Sequence, residues 1–330
     1  MSEVALYDTS LQAGETSSRA QVLKRLRATD MAFHALTKTA AIAVLVILSG
    51  VIVALIMGSA PAFHAFGFSF VTTEVWNPVT EQFGALAPIY GTLVTSAIAM
   101  LIAVPVGLLV AFFLTELCPS LIRRPIAIAI ELLTGIPSII YGIWGLFVFA
   151  PFLQKYIQPF LIAVFGDVPL LSSIFEGPPY GIGMLTAGLI LAIMVLPSIT
   201  AISRDVFDAV PPVLKEAAYG VGCTTWEVFR YVVLPYTRVG VIGGMMLGLG
   251  RALGETMAVT FVIGNAHHVS ASILAPGTTI SAAIANEFTE AVGDLYTSSL
   301  IALGLILFVI TFIVLAVSRY LLLRVQRRLG

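Results

Sequence analysis

The sequence predicts an all-α integral membrane protein of six transmembrane helices, and three observations carry that prediction. Of 330 residues, 58% are hydrophobic and 11% charged, with a mean hydropathy of +1.01, whereas a soluble domain carries roughly 25% charged residues. Six apolar runs are each long enough to supply the ~20 helical residues that cross a hydrocarbon core. None has the short alternating pattern of a barrel strand, so helices, which satisfy their own backbone amides, are the structure open to them in lipid. The formal charge of -1 gives no reason to expect a nucleic-acid partner. Cys118 and Cys223 are too few and too far apart for a disulfide framework or a thiolate metal site.

Residues 1–38 are polar, Ser/Thr-rich and mixed in charge, and read as a mobile cytosolic tail with an interfacial turn around Lys24 to Phe33. The first run, 39–58, exceeds the ~7 to 15 residues of a signal-peptide core and reads as an uncleaved anchor, although the small residues Gly58, Ser59 and Ala60 follow it. With its outer segment it makes one region, 39–88, ahead of a transmembrane core at 89–320. Runs follow at 89–115, 125–150, 181–202, 239–264 and 297–318, and 321–330 is a second cytosolic tail. Gly135 and Pro137-Ser138, with Thr134 beside them, fall in the third run, and Pro197-Ser198 in the fourth. Each Pro removes an intrahelical hydrogen bond and frees a carbonyl for a Ser hydroxyl or a ligand, or it merely shapes the bundle.

Charge sets the orientation. Fifteen of the 17 Lys and Arg residues lie in the N-terminal tail, the loops after the second and fourth runs, and the C-terminus. Lys155 is alone in the loops of the other face, and Arg251 is inside a run. The positive-inside rule then places both termini in the cytosol. The outer segments 59–88, 151–180 and 265–296 carry Glu74, Glu81, Asp167, Glu176, Glu287, Glu290 and Asp294, which serve a docking protein or are simply solvated. His267-His268 lacks a Cys or carboxylate at metal-ligand spacing and reads as solvated or docking. Trp76, Trp144 and Trp226 fall near run ends, as interface anchors do.

The cytosolic loop 203–238 carries the most specific pattern, VPPVLKEAAYGVGCTTWEVFRYVVLPYTR. Pro212 suits the first turn of a helix through Lys215, Glu216, Ala217 and Ala218. Gly220 and Gly222 permit a turn, and Thr224-Thr225-Trp226-Glu227 has the capping-box form that starts a second helix ending near Pro235. Two readings of this helix-turn-helix are open: an amphipathic connector on the lipid surface, or a face that another protein approaches closely.

Glu216-Ala217-Ala218, three residues, Gly222, nine residues, then Val232-Val233-Leu234-Pro235 resembles the EAA signature of ABC importer permeases, with Val232 for Ile the one departure. GTLVTSAIAMLIAVPVGLLVAFFLTE, LLTGIPSIIYGIWGLFVFAP, LGLGRALGETMAVTFVIGN and LIALGLILFVITFIVLAVSRYLL narrow the resemblance to the phosphate-specific permeases of the PstC type. That resemblance implies a MetI-like type I ABC importer permease fold in a bacterial cytoplasmic membrane, working by alternating access. It implies that Glu216, Ala217, Ala218, Gly220, Gly222, Leu234 and Pro235 form the coupling segment that seats on an ABC ATPase dimer (PstB-like). A PstA-like second permease would complete the path, and a PstS-like periplasmic binding protein would deliver phosphate. No G-x-x-x-x-G-K-[ST] loop surrounds any of the four lysines, so ATP and Mg belong to the separate ATPase, and no cofactor is expected here. No nucleophile–base pair or metal-ligand set appears inside the runs, which argues against an enzyme. Sulfate or molybdate would be served by the same features, and a gradient-driven carrier is the reading that the EAA match opposes.

Arg251 sits inside the fifth run, where an unpaired charge costs on the order of 2.5 to 3.5 kcal/mol. Glu255 at i+4 would share its face. One reading is an internal ion pair that locks the bundle. The other is a phosphate path in which the Arg fork binds a tetrahedral oxyanion and Glu255 holds that fork when the path is empty. Thr256 and Thr260 are weaker members, since such hydroxyls often bond their own helix, and Ser138, Ser198 and Thr134 are secondary. Gly240, Gly244 and Gly248 form one small-residue face and Gly250 and Gly254 another, for packing within the chain or against a partner permease.

Overall fold

The computed structural model describes residues 2–166, 168–169 and 171–327. Among the described residues, six helices are long and apolar enough to cross a membrane: Thr29–Phe66, Leu86–Leu117, Ser138–Phe165, Met184–Asp208, Thr225–Gly254 and Asp294–Tyr320. The chain divides into two units, after Met57. The N-terminal unit is helical from Ser2, as the first part of α1 (Ser2–Phe66). The segment expected to be a mobile tail therefore continues the anchor helix, and no proline precedes Pro61 to stop it.

In the second unit, α2 (Leu86–Phe112) ends in a π turn at Phe113–Leu117. Next come α3 (Ser120–Thr134), a break over Gly135 to Pro137, and α4 (Ser138–Trp144), which continues helically to Phe165. The run expected at 125–150 is thus two helices, and the crossing segment lies C-terminal to the break. Pro137, with ψ 135°, is the cap of α4 rather than a kink within it. Lys155, expected in an outer loop, lies within this third span.

The other crossing helices follow the same logic. α5 (Met184–Asp208) is continuous through Pro197. α6 (Pro212–Gly220) and α7 (Thr225–Val228) form a helical hairpin, and α7 passes through a π turn at Phe229–Val233 into α8 (Leu234–Gly254). The helix therefore runs on past Pro235, where the sequence predicts its end. It stops instead at Gly254, ten residues before the expected boundary, and a short α9 (Met257–Val262) follows. α10 (Ile280–Glu287) and α11 (Asp294–Arg327) complete the chain.

All four π turns end on the residue before a proline: Cys118-Pro119, Ala150-Pro151, Gln158-Pro159 and Leu234-Pro235. In each, that residue donates its N–H to the carbonyl five back, as Cys118 does to Phe113 at 2.8 Å. A proline has no N–H to give and its ring crowds the carbonyl four residues back. Widening the preceding turn relieves that crowding and, in three of the four cases, lets the helix continue through it.

The bundle core is the α2–α5–α8 contact. Ala99 and Ala103 of α2 meet Ile190, Leu191, Val195 and Ile199 of α5, all fully buried. Lipid is as apolar as leucine, so close van der Waals fit rather than transfer from water holds these helices. Gly240, Gly244 and Gly248 supply that fit on α8. A Cβ there would come within 2.6 Å of Val206, 2.9 Å of Ile202 and 2.9 Å of Ile199 of α5. This glycine face packs within the chain, whereas Gly250 and Gly254 have nothing within 4 Å of a Cβ.

On the opposite end from the hairpin, the loop after α9 is strapped down. The N-terminal amides of α5 are satisfied by it: Met184 donates to Ala275 and Leu185 to Ile273, at 3.2 and 2.8 Å. The histidine pair, expected to be solvated or docking, closes two carboxylate clasps, with His268 solvent-exposed and His267 largely buried. Glu287 accepts from Trp76 Nε1, from His267 Nε2 at 2.7 Å and from Tyr296 OH at 2.8 Å, and Trp76 stacks on the His267 ring. Glu74 pairs with His268 and accepts from the Val269 amide at 2.9 Å. Burial pushes the Glu287 carboxyl up, but the hydrogen bonds from His267, Tyr296 and Trp76 prevail and hold it below its ordinary value. Glu74 is lowered chiefly by the Val269 amide.

Candidate functional site

Two groups of residues stand out, one at the α6–α7 hairpin and one at the break between α8 and α9. In the hairpin, Glu216 and Ala217 are exposed, and Ala218 packs against the aromatic cluster beneath. The turn after α6 is a Schellman motif: Gly222 donates to Tyr219 at 2.9 Å and Cys223 to Ala218 at 3.1 Å. Gly222 has φ +92°, which favours glycine. Gly220 has no such backbone requirement and nothing within 4 Å of a Cβ, so this chain gives no reason for it. Thr224 forms the predicted capping box with Glu227. Leu234 is partly buried in the cluster and Pro235 is exposed on the continuing helix.

That cluster joins the hairpin to two spans. Phe229 packs on Phe112 of α2 at 4.4 Å and on Phe207 of α5 at 5.2 Å, and Trp226 meets Phe112 edge-on. Val213, Tyr219, Val221 and Trp226 are exposed on the outside of the hairpin. An exposed apolar surface around a bare glycine and a free carboxylate is what a docking protein requires.

At the second group, the predicted Arg251–Glu255 pair is not formed. Among the described residues no ion pair includes Arg251 or Glu255. An i,i+4 pair needs an unbroken helix, and α8 ends at Gly254; Glu255 is extended, with ψ 130°, and its Oε1 accepts from the Ala258 amide at 3.4 Å. The carboxylate thus faces the start of α9 rather than the guanidinium. Arg251 Nη1 instead reaches Ser198 Oγ of α5 at 3.5 Å.

Tyr141 of α4, which the sequence reading missed, lies within electrostatic reach of Arg251 and donates to the Leu133 carbonyl at 3.0 Å. Only packing reveals it: Gly142 beside it sits against Ala258 and Phe261 of α9. Thr256 precedes α9 and bonds Gly254 weakly at 3.4 Å, and Thr260 back-bonds to Thr256 at 2.8 Å. Ser138 opens α4 and Thr134 ends α3. Among the described residues no hydrogen bond joins either to Arg251. Irregular backbone inside an apolar segment persists only where protein or a water-filled path covers it, and the break at 255–256 follows this arginine within one helical turn.

Residues 103–327 match the model of the binding-protein-dependent transport system inner membrane component family. This chain belongs to that family. Both groups of residues lie within the matched region. The phosphate transport system permease protein PstC of Mesorhizobium japonicum is 68% identical, covering 95% of this chain and 96% of its own. The protein of the same name from Pasteurella multocida is 57% identical over 91% and 94%. The family's fold is also that of a chain in the bacterial alginate ABC transporter solved with its alginate-bound periplasmic protein, at 19% identity, a TM-score of 0.52 and 88% coverage of this chain.

Proposed function

We propose that this chain is the transmembrane permease subunit of an ATP-driven phosphate importer, supplying half of the translocation path. Its similarity to PstC proteins along nearly its whole length supports the substrate. The observation that carries the path is Arg251: a half-buried guanidinium with five donors, one long hydrogen bond and no carboxylate, beside a broken span. Such a group is a fixed positive charge with free forks for a tetrahedral oxyanion. Ser198 and Tyr141 flank it, and Ser138, Thr134, Glu255 and Thr256 belong to the two helix breaks.

The remaining assignments follow from this role. The hairpin around Glu216, Ala217, Ala218, Gly220 and Gly222 seats on one subunit of a PstB-like ATPase dimer, which holds the ATP and Mg. A PstA-like permease completes the path, and the unpacked Gly250 and Gly254 face of α8 is suited to its close approach. A PstS-like binding protein delivers phosphate at the clasped outer face. Both termini are cytosolic and the membrane is the bacterial inner membrane.

The test is uptake of radiolabelled phosphate by the reconstituted complex carrying Arg251→Gln. ATPase assembly and hydrolysis are expected to persist while uptake falls about tenfold or more, the worth of a hydrogen bond to a charged group. Unchanged uptake would remove Arg251 from the path. Competition by sulfate or molybdate at equal strength would widen the substrate to oxyanions in general.

A further inference from the structure

The coupling hairpin touches the bundle through α7 and its π turn far more than through α6. No residue of α6 is fully buried, and Ala218 is its one member in the aromatic cluster. Its polar tie is Lys215, next to Glu216. Lys215 Nζ lies 2.6 Å from Glu116 Oε1 and 3.5 Å from the Phe207 carbonyl. The side chains of Glu116 and Lys215 are only 8% and 18% exposed, so water and salt screen this pair far less than a surface one. Glu116 belongs to the π turn that ends the second span, and Phe207 to the last turn of α5. One ammonium therefore joins the coupling helix to the cytosolic ends of two spans.

We propose that the Lys215–Glu116 pair is a transmission strut, which carries displacement of α6 into the second span. It rests on the reading of the hairpin as the ATPase-docking element. A charge-assisted bond of this length resists separation and fixes direction. Its far end is in a π turn, where the helix departs from the α register, a feature frequent at functional sites. Without the strut, α6 pivots on Ala218 and the ATPase stroke is lost as rocking of an exposed helix. Lys215 is a positioning residue, and it acts on phosphate only through the second span.

The experiment uses proteoliposomes holding the full complex, with phosphate uptake and ATP hydrolysis measured together. For Glu116→Gln and for Lys215→Met, the ATPase is expected to copurify and hydrolysis to stay within about twofold, while phosphate moved per ATP falls about threefold or more. The exchanged pair, Glu116→Lys with Lys215→Glu, is expected to regain at least about half of the lost ratio. An unchanged ratio in both single variants overturns the strut, as does a parallel decline of uptake and hydrolysis. If the single variants fail to assemble, the exchanged pair decides: a normal ratio supports the strut, and failure to assemble overturns it. Failure of the docking reading is separately visible, because Glu216→Lys would then leave ATPase binding and uptake intact.

Discussion

Gly222 and Gly220, two residues apart in the hairpin, separate backbone need from surface need. Gly222 at φ +92° is in the left-handed region, where a Cβ costs roughly 1 to 2 kcal/mol, so Gly222→Ala is expected to lower the thermal midpoint of the purified protein. Gly220 has open space around it, so Gly220→Leu should leave that midpoint unchanged and abolish ATPase copurification. A normal complex with Gly220→Leu would place the docking contact elsewhere. At the end of the bundle opposite the hairpin, Glu287 is held below its ordinary carboxylate value of 4.5. Its stabilising contribution is therefore complete above that value and is lost as pH falls through the lower folded one. Thermal unfolding in detergent should show Glu287→Gln less stable than wild type near neutral pH, with the gap closing as pH falls below the ordinary carboxylate value of 4.5. A gap that stays constant with pH would mean that the clasp is not held by the ionised carboxylate.

At the scale of elements, close approach decides where helices and loops meet. A Cβ on Gly91, in the first turns of α2, would lie 1.9 Å from the Thr278 carbonyl, and the neighbouring Thr92 hydroxyl accepts from the Ile280 amide at 3.0 Å. Gly91→Ala must push the outer strap off the bundle, and about 1 to 3 kcal/mol of destabilisation is expected from such overpacking. Differential scanning fluorimetry against Gly50→Ala, where nothing lies within 4 Å, checks this; equal midpoints would contradict it. The existence of six spans was legible because apolar length alone determines it. Their ends were not, since hydropathy continues across Gly135 to Pro137 and across Glu255. The same residue type also behaves in three ways here: Pro137 caps a helix, Pro197 stays inside one, and Pro235 follows a π turn. The capping box and the EAA spacing were legible because both are local. The clasps were hidden because Glu74 and His268 are 194 residues apart, and the Lys215–Glu116 pair because 99 residues separate its partners.

For the whole molecule, the revised span boundaries sharpen the charge asymmetry that sets orientation. With Lys155 inside the third span, the outer connections 67–85, 166–183 and 263–293 contain no Lys or Arg, while Arg123, Arg124 and Lys215 lie in the connections of the other face. Clustered basic residues resist translocation, so the positive-inside rule predicts a cytosolic hairpin face. Accessible single cysteines test this directly once Cys118 and Cys223 are replaced by Ser. Val79 and Val292 are 91% and 86% exposed on the outer connections, and Leu121 and Val221 are 86% and 81% exposed on the inner ones. In intact spheroplasts, a membrane-impermeant maleimide is expected to label Val79→Cys and Val292→Cys, and to label Leu121→Cys and Val221→Cys only after permeabilisation. The reverse pattern would put the hairpin outside, away from any ATPase, and would remove the coupling role of Glu216 and the Lys215–Glu116 strut together.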